Sequence, residues 1–144
     1  MRLIITVGLP GSGKSTYLER LGVNPISSDE IRRLIADDPR DQSMNARIFS
    51  TIRYLIRQRI AAGRPVTYVD ATHLTPWERK PYAILAQRYG CVLEALFFDI
   101  PLEICAARNQ ARDRVVPEEA MRKMAGLMIP PSKEEGFAEI TTIT

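Results

Sequence analysis

Three glycines, a lysine and three hydroxyls fall within Gly8-Leu9-Pro10-Gly11-Ser12-Gly13-Lys14-Ser15-Thr16, directly after an apolar run. The spacing Gly8-x-x-x-x-Gly13-Lys14-Ser15 suits a loop whose backbone N–H groups cradle phosphates, whose lysine reaches the terminal ones and whose hydroxyl binds Mg²⁺. A strand must precede such a loop and a helix must follow it, because the anion also uses unpaired N–H groups at the helix start. Leu3, Ile4, Ile5 and Val7 supply the strand, and Ser15 to Leu21 reads as a short helix closed near Gly22. ATP or another nucleoside triphosphate with Mg²⁺ is the expected ligand of Gly8, Gly11, Ser12, Gly13, Lys14, Ser15 and Thr16. Lys14 is read as an exposed loop side chain.

Further along, Asp29 follows a second short apolar stretch, and Arg32 lies one helical turn on, on the same face. Kinase chemistry needs a carboxylate to accept the acceptor hydroxyl's proton and a cation for developing phosphoryl charge, and this pair has both. A helix cap beside a surface arginine is the plainer alternative. Asp70 ends another apolar run, where a carboxylate can hold an Mg²⁺-bound water; an ordinary turn aspartate is its alternative. Thr72 follows on the expected acceptor side. Arg108, Arg112 and Arg114 surround a helix end, with the first two spaced i, i+4, so that they can fold over a triphosphate or simply be solvated. His73, the one histidine, has no neighbouring nucleophile and is read as a loop hydrogen-bonder. Met121, Met124, Leu127 and Met128 recur at helical spacing and are expected to pack. Trp77 is expected to be partly buried.

The elements that must position these groups alternate. Asn24 to Ser28 reads as a strand, with Ser28 or Asp29 near the cap of the helix after it. A long helix from about Asn45 to Ala62 carries Ile48, Ile52, Leu55, Ile56 and Ile60 on one stripe. "PVTYVDATHL" is the next strand, and "TPWE" has the spacing of a helix-start capping box, with Pro81 expected to kink or restart that helix. "VLEALFFDI" is a buried strand, "PLEICAARNQAR" a helix, Pro117 opens a last helix, "PPSKEEG" a loop and "FAEITTIT" a final strand. Strands alternating with helices imply right-handed crossovers, hence an open, mostly parallel sheet with helices on both faces. Ligands in such sheets bind beyond the carboxyl ends of the strands, where the glycine loop, Asp29 and Asp70 collect.

At 144 residues, 45% of them hydrophobic, the chain suits one domain burying roughly two-thirds of its unfolded surface, here residues 1–144 with an arginine-bearing lid at about 108–128. Cys91 and Cys105 lack CxxC spacing or a histidine cluster and are read as core thiols, which argues against a zinc site or a disulfide framework. The opening apolar run is too short for a signal peptide, and no run of about 18 apolar residues occurs; a cytoplasmic protein without membrane contact is expected. A net charge of +3 barely favours an anionic partner.

"GLPGSGKST", "SSDEIR", "VDATHLTPWER", "FFDIPLEICAARNQAR" and "VVPEEAMRKM" together resemble, in order and spacing, the polynucleotide 5′-kinase domains of phage and bacterial end-healing enzymes. The phosphate loop is shared with many NTPases; Asp-x-x-Arg joined to Arg-x-x-x-Arg before "VP" is more selective. The resemblance implies a P-loop kinase fold, Asp29 as general base toward a 5′-hydroxyl of RNA or DNA, Arg32 on phosphate, Arg108 and Arg112 as lid arginines, and membership of a larger end-healing or repair protein. The chain departs from the phage enzyme at Ser28, where that enzyme has a basic residue, and lacks its D-x-D-G-T phosphatase motif. Kinases of small metabolites or of nucleotide sugars, the latter zeta-toxin-like, share the loop and a similar lid and are the nearest rival. A guanine-specific switch would carry N/T-K-x-D, which is missing from the sequence.

Overall fold

The computed structural model describes residues 1–112 and 115–144. Among the described residues five strands are formed: β1 (Arg2–Val7), β2 (Ile26–Ser27), β3 (Val66–Asp70), β4 (Val92–Phe98) and β5 (Glu139–Ile143). They make one sheet in the order β2-β3-β1-β4-β5, with every pair parallel. The helices are α1 (Lys14–Arg20), α2 (Ser28–Ala36), α3 (Asn45–Ala61), α4 (Pro76–Tyr89), α5 (Leu102–Gln110) and α6 (Glu118–Leu127). The expected α/β architecture of a P-loop kinase is therefore present, with its sheet wholly parallel.

The central strand explains why helices must lie on both faces. Leu3 to Val7 are all buried, and successive strand side chains point to opposite faces, so neither face can meet water. On one face Leu3, Ile5 and Val7 pack with Val69, Leu93, Ala95 and Phe97 under Ile48, Ile52 and Ile56 of α3 and Tyr82 and Leu85 of α4. The three isoleucines recur every four residues and are fully buried, each worth about 1.5–3 kcal/mol of transfer free energy. A second cluster joins Leu9 of the glycine loop to Leu74, Cys105, Val116 and Met121, with Met124 and Met128 at its margin. Helix α6 thus packs through the expected methionines, although Leu127 is half exposed.

Local chemistry moved several boundaries. β2 is only two residues long because Ser27, not Ser28 or Asp29, caps α2: its hydroxyl accepts from the Glu30 N–H at 3.3 Å. Asp29 therefore stands in the first turn of the helix, where a carboxylate is favoured by the helix dipole. α4 runs through Pro81 without restarting; the N–H that proline lacks would have met the carbonyl of Trp77, an 80% exposed residue, so water can serve it instead. The same exposure corrects the expected partial burial of Trp77. Cys105 is buried while Cys91 is only partly so. Within the expected loop at 130–136, Lys133–Glu135 form a 3₁₀ turn. Among the described residues no helix is long and apolar enough to cross a membrane.

Candidate active site

The glycine loop leaves β1 and turns into α1 at the carboxyl edge of the sheet. Two of its glycines are required by crowding. A Cβ on Gly8 would stand 2.7 Å from Ser12 Oγ and 2.9 Å from Phe98 Cβ, and one on Gly11, at φ +82°, would strike the carbonyl oxygen of Cys105. α5 is thereby seated directly on the loop through its backbone at Cys105 and Asn109. The Gly8 N–H donates to Thr72 O at 3.0 Å, which ties the loop to the segment after β3.

Lys14 is buried rather than exposed. Its ammonium donates to the carbonyls of Gly8 (3.1 Å) and Leu9 (2.8 Å), and burial lowers its pKa to about 8, against a raising influence from Asp70. A cation held this way inside a glycine loop has neutral partners only, and a phosphate oxygen would be a stronger one. Ser12 Oγ is buried without a hydrogen-bond partner, a further donor for an anion seated in the loop. Ser15, at the start of α1, donates to Asp70 Oδ2 at 2.6 Å. Mg²⁺ asks for one or two protein oxygens beside phosphate and water, and this hydroxyl–carboxylate pair fits it; among the described residues no His/Cys/Asp/Glu group of three or more could hold a metal. Thr16 is exposed beside Ser15, and Thr72 is partly buried.

Facing this loop, Asp29 Oδ1 accepts from Arg32 Nη1 at 3.0 Å. Arg32 is itself buried and reaches Asn45 Oδ1 through Nη2 at 2.9 Å. From the other side, Arg112 Nη2 stands 3.9 Å from Asp29 Oδ2. Arg112 lies just past the end of α5, and Arg108 Nη1 lies over Gly13, 3.5 Å from where its Cβ would be. The structure thus brings Lys14, Ser15, Asp70, Asp29, Arg32, Arg108 and Arg112 around one edge of the sheet. Arg114 lies outside the described residues.

Sequence reasoning missed the groups that hold this edge in place. Thr6 Oγ1 donates to Ala71 O at 2.7 Å and accepts from Ala71 N–H at 3.1 Å, fixing the chain after Asp70; a lone threonine in an apolar strand was its signal. His73, as expected, is a loop hydrogen-bonder: Nδ1 donates to Thr6 O (2.7 Å), which leaves Nε2 to accept from Tyr82 OH (2.8 Å). Burial pushes its pKa down to about 4. Arg79, also buried, donates to His73 O (2.7 Å) and grips Glu135 at 2.7 and 3.1 Å. Asn109 clasps Val116 through both its backbone groups (2.6 and 3.0 Å), closing the turn between α5 and α6. Asn45 had no distinguishing signal, since its role depends on Arg32 arriving from another helix.

The AAA domain family matches residues 3–131. This chain belongs to that family. Several solved structures share the fold of this AAA domain. A chain of the Pnkp1/Rnl/Hen1 RNA repair complex superposes with a TM-score of 0.74 at 22% identity, covering 88% of this chain and 43% of that one; the AAA domain therefore spans less than half of that relative's length. The gluconokinase from Sinorhizobium meliloti 1021 gives 0.65 at 20% identity, with 99% and 81% covered. The Mycobacterium tuberculosis APS kinase CysC in complex with AMPPNP and APS gives 0.60 at 19%, with 98% and 87% covered. At these identities the likeness is one of fold, that of P-loop kinases.

Proposed function

We propose that residues 1–144 form a single ATP-dependent kinase domain, with a lid at 108–128, that transfers the γ-phosphate to the 5′-hydroxyl end of RNA or DNA in the cytoplasm, as part of a larger end-healing or repair protein. The observation that carries this reading is Asp29 standing between Arg32 and Arg112, across from the loop that holds Lys14. Asp29 takes the proton from the acceptor hydroxyl as it attacks. Arg32, fixed by Asn45, orients that carboxylate and meets a phosphate of the acceptor. Lys14 exchanges its loop carbonyls for the β- and γ-phosphates, and Arg108 and Arg112 stabilise the charge that grows on the transferring group. Mg²⁺, held by Ser15 and through water by Asp70, would neutralise the β- and γ-oxygens. Thr72 lines the acceptor side.

A second reading, a kinase of a small metabolite or a nucleotide sugar, is favoured by one observation: the gluconokinase and APS kinase folds match over most of their own lengths. Incubation with γ-labelled ATP and, separately, a 5′-hydroxyl oligonucleotide, gluconate, APS and a nucleotide sugar separates the two. Label on the oligonucleotide's 5′ end alone is expected. Transfer only to one of the small acceptors would replace the first reading with the second.

A further inference from the structure

α3 carries Arg47, Arg53, Arg57 and Arg59 and no acidic residue. Arg59 turns inward to Thr67 Oγ1 and Val66 O (3.0 and 2.8 Å). The other three make no ion pair with any described residue. The buried stripe of the helix is Ile48, Ile52 and Ile56, so at 100° per residue the outward line runs through Arg47 and Tyr54, flanked by Arg57. Tyr54 is 53% exposed, with Arg57 one turn beyond it and Arg47 two turns before. The helix that carries this row begins beside the candidate site: Asn45, at its first position and on the side turned away from the row, holds Arg32, which holds Asp29, so a strand leaving Asp29 reaches Arg47 around the start of α3. The nearest acids in sequence are otherwise engaged, Asp38 with Arg40 and Asp41 with Ser43.

We propose that the outer face of α3 is the track for the acceptor strand beyond its reacting end, with Arg47 and Arg57 on its phosphates and Tyr54 stacked on a base. The proposal rests on the polynucleotide-kinase reading and extends it to the nucleotides that take no part in the chemistry. Arg47 and Arg57 stand about 15 Å apart along the helix, the reach of a few nucleotides. Arginine beside an exposed ring is how sequence-tolerant binding of single strands is built: the charge follows the backbone and every base offers a π-face. An acidic peptide offers carboxylates to the arginines but nothing flat to the tyrosine, which is why a single-stranded nucleic acid is the fitting occupant.

The test is equilibrium binding of a fluorescent 5′-hydroxyl oligonucleotide of about ten nucleotides, spanning the track and the site, across a salt series, beside kinase turnover on the same strand and on a dinucleotide. In the Arg47→Gln/Arg57→Gln variant the log–log salt slope is expected to become shallower by about 1.4, two contacts at 0.7 each, and the ratio of kcat/KM for the long over the short acceptor to fall about tenfold or more. Tyr54→Leu is expected to weaken the long strand about fivefold or more at every salt concentration without changing the slope. A double-arginine variant with the wild-type slope and affinity overturns the track, whatever the turnover. Equal competition by a polyglutamate peptide overturns it as well. A wild type that transfers to no 5′-hydroxyl end, yet binds the strand with a slope the arginine variant loses, overturns the kinase assignment and supports the track.

Discussion

Arg112 Nη2 lies 3.9 Å from Asp29 Oδ2, the carboxylate that Arg32 holds from the other side at 3.0 Å. An arginine expected over a nucleotide's phosphates thus stands against the group proposed to take the acceptor's proton. The two arginines are held differently: Arg32 is also tied to Asn45 at 2.9 Å, whereas Arg112 stands 3.9 Å from the carboxylate; in the proposed mechanism Arg32 stays in place and Arg112 is drawn toward the γ-phosphate.

Asp29→Asn keeps the shape of the side chain and removes its ability to accept a proton. Turnover is expected to fall on the order of 10²- to 10⁴-fold, with the affinity for Mg²⁺-nucleotide within about threefold of wild type. Single-turnover kinetics beside calorimetric nucleotide titration check this. Collapse of nucleotide binding would make Asp29 a metal or scaffold residue.

Arg108→Ala and Arg112→Ala should each lower kcat by more than they raise the KM for nucleotide, since both contacts strengthen as charge develops. Arginines in this role are worth about 10³ to 10⁵ in P-loop enzymes, and the proposed mechanism divides that role between these two. Steady-state kinetics on the single and double variants decide it, and an unchanged kcat in the double variant would leave the two side chains merely solvated.

Asp70→Asn leaves the Ser15 hydroxyl a hydrogen-bond partner but weakens the oxygen set for a hard cation. The Mg²⁺ concentration giving half-maximal activity should rise about 10- to 100-fold, while affinity for metal-free nucleotide stays the same. A Mg²⁺ titration of activity, paired with nucleotide binding in chelator, measures both.

His73 is buried neutral, its pKa held down to about 4 from an ordinary 6.5 by desolvation. The unfolded chain therefore takes up a proton first as pH falls, so the stability this residue gives is complete above pH 6.5 and is lost as pH drops through about 4. His73→Asn, which suits the positive φ of 46° at this position, is expected to be less stable at pH 7 and to show a flatter decline of Tm over that window. Identical pH profiles would exclude the histidine as the cause.

The parts of the site that sequence made legible are those whose geometry is local. The loop from Gly8 to Ser15 carries its own turn chemistry, Asp29 and Arg32 face each other because three residues make nearly one helical turn, and Asp70 is placed by the end of an apolar strand. What escaped depends on distant elements meeting. Lys14 is buried where the loop meets Asp70, Arg112 and Cys105, and Arg112 approaches Asp29 from just past the end of α5. Trp77 misled because a place in a helix's first turn reads as partly buried, whereas the first turn of α4 precedes the point where the helix meets the core at Tyr82 and leaves the ring outside.

The seat of α5 on Gly11 changes how damage to the loop must be interpreted. A methyl group at Gly11 collides with the Cys105 carbonyl, so Gly11→Ala displaces the helix that carries Arg108 as well as spoiling a phosphate cradle, whereas a methyl group at Gly8 acts on Ser12 and Phe98. Two substitutions that look equivalent in the motif therefore report on different parts of the molecule: one on the turn around Ser12, the other on the placement of the helix that carries Arg108.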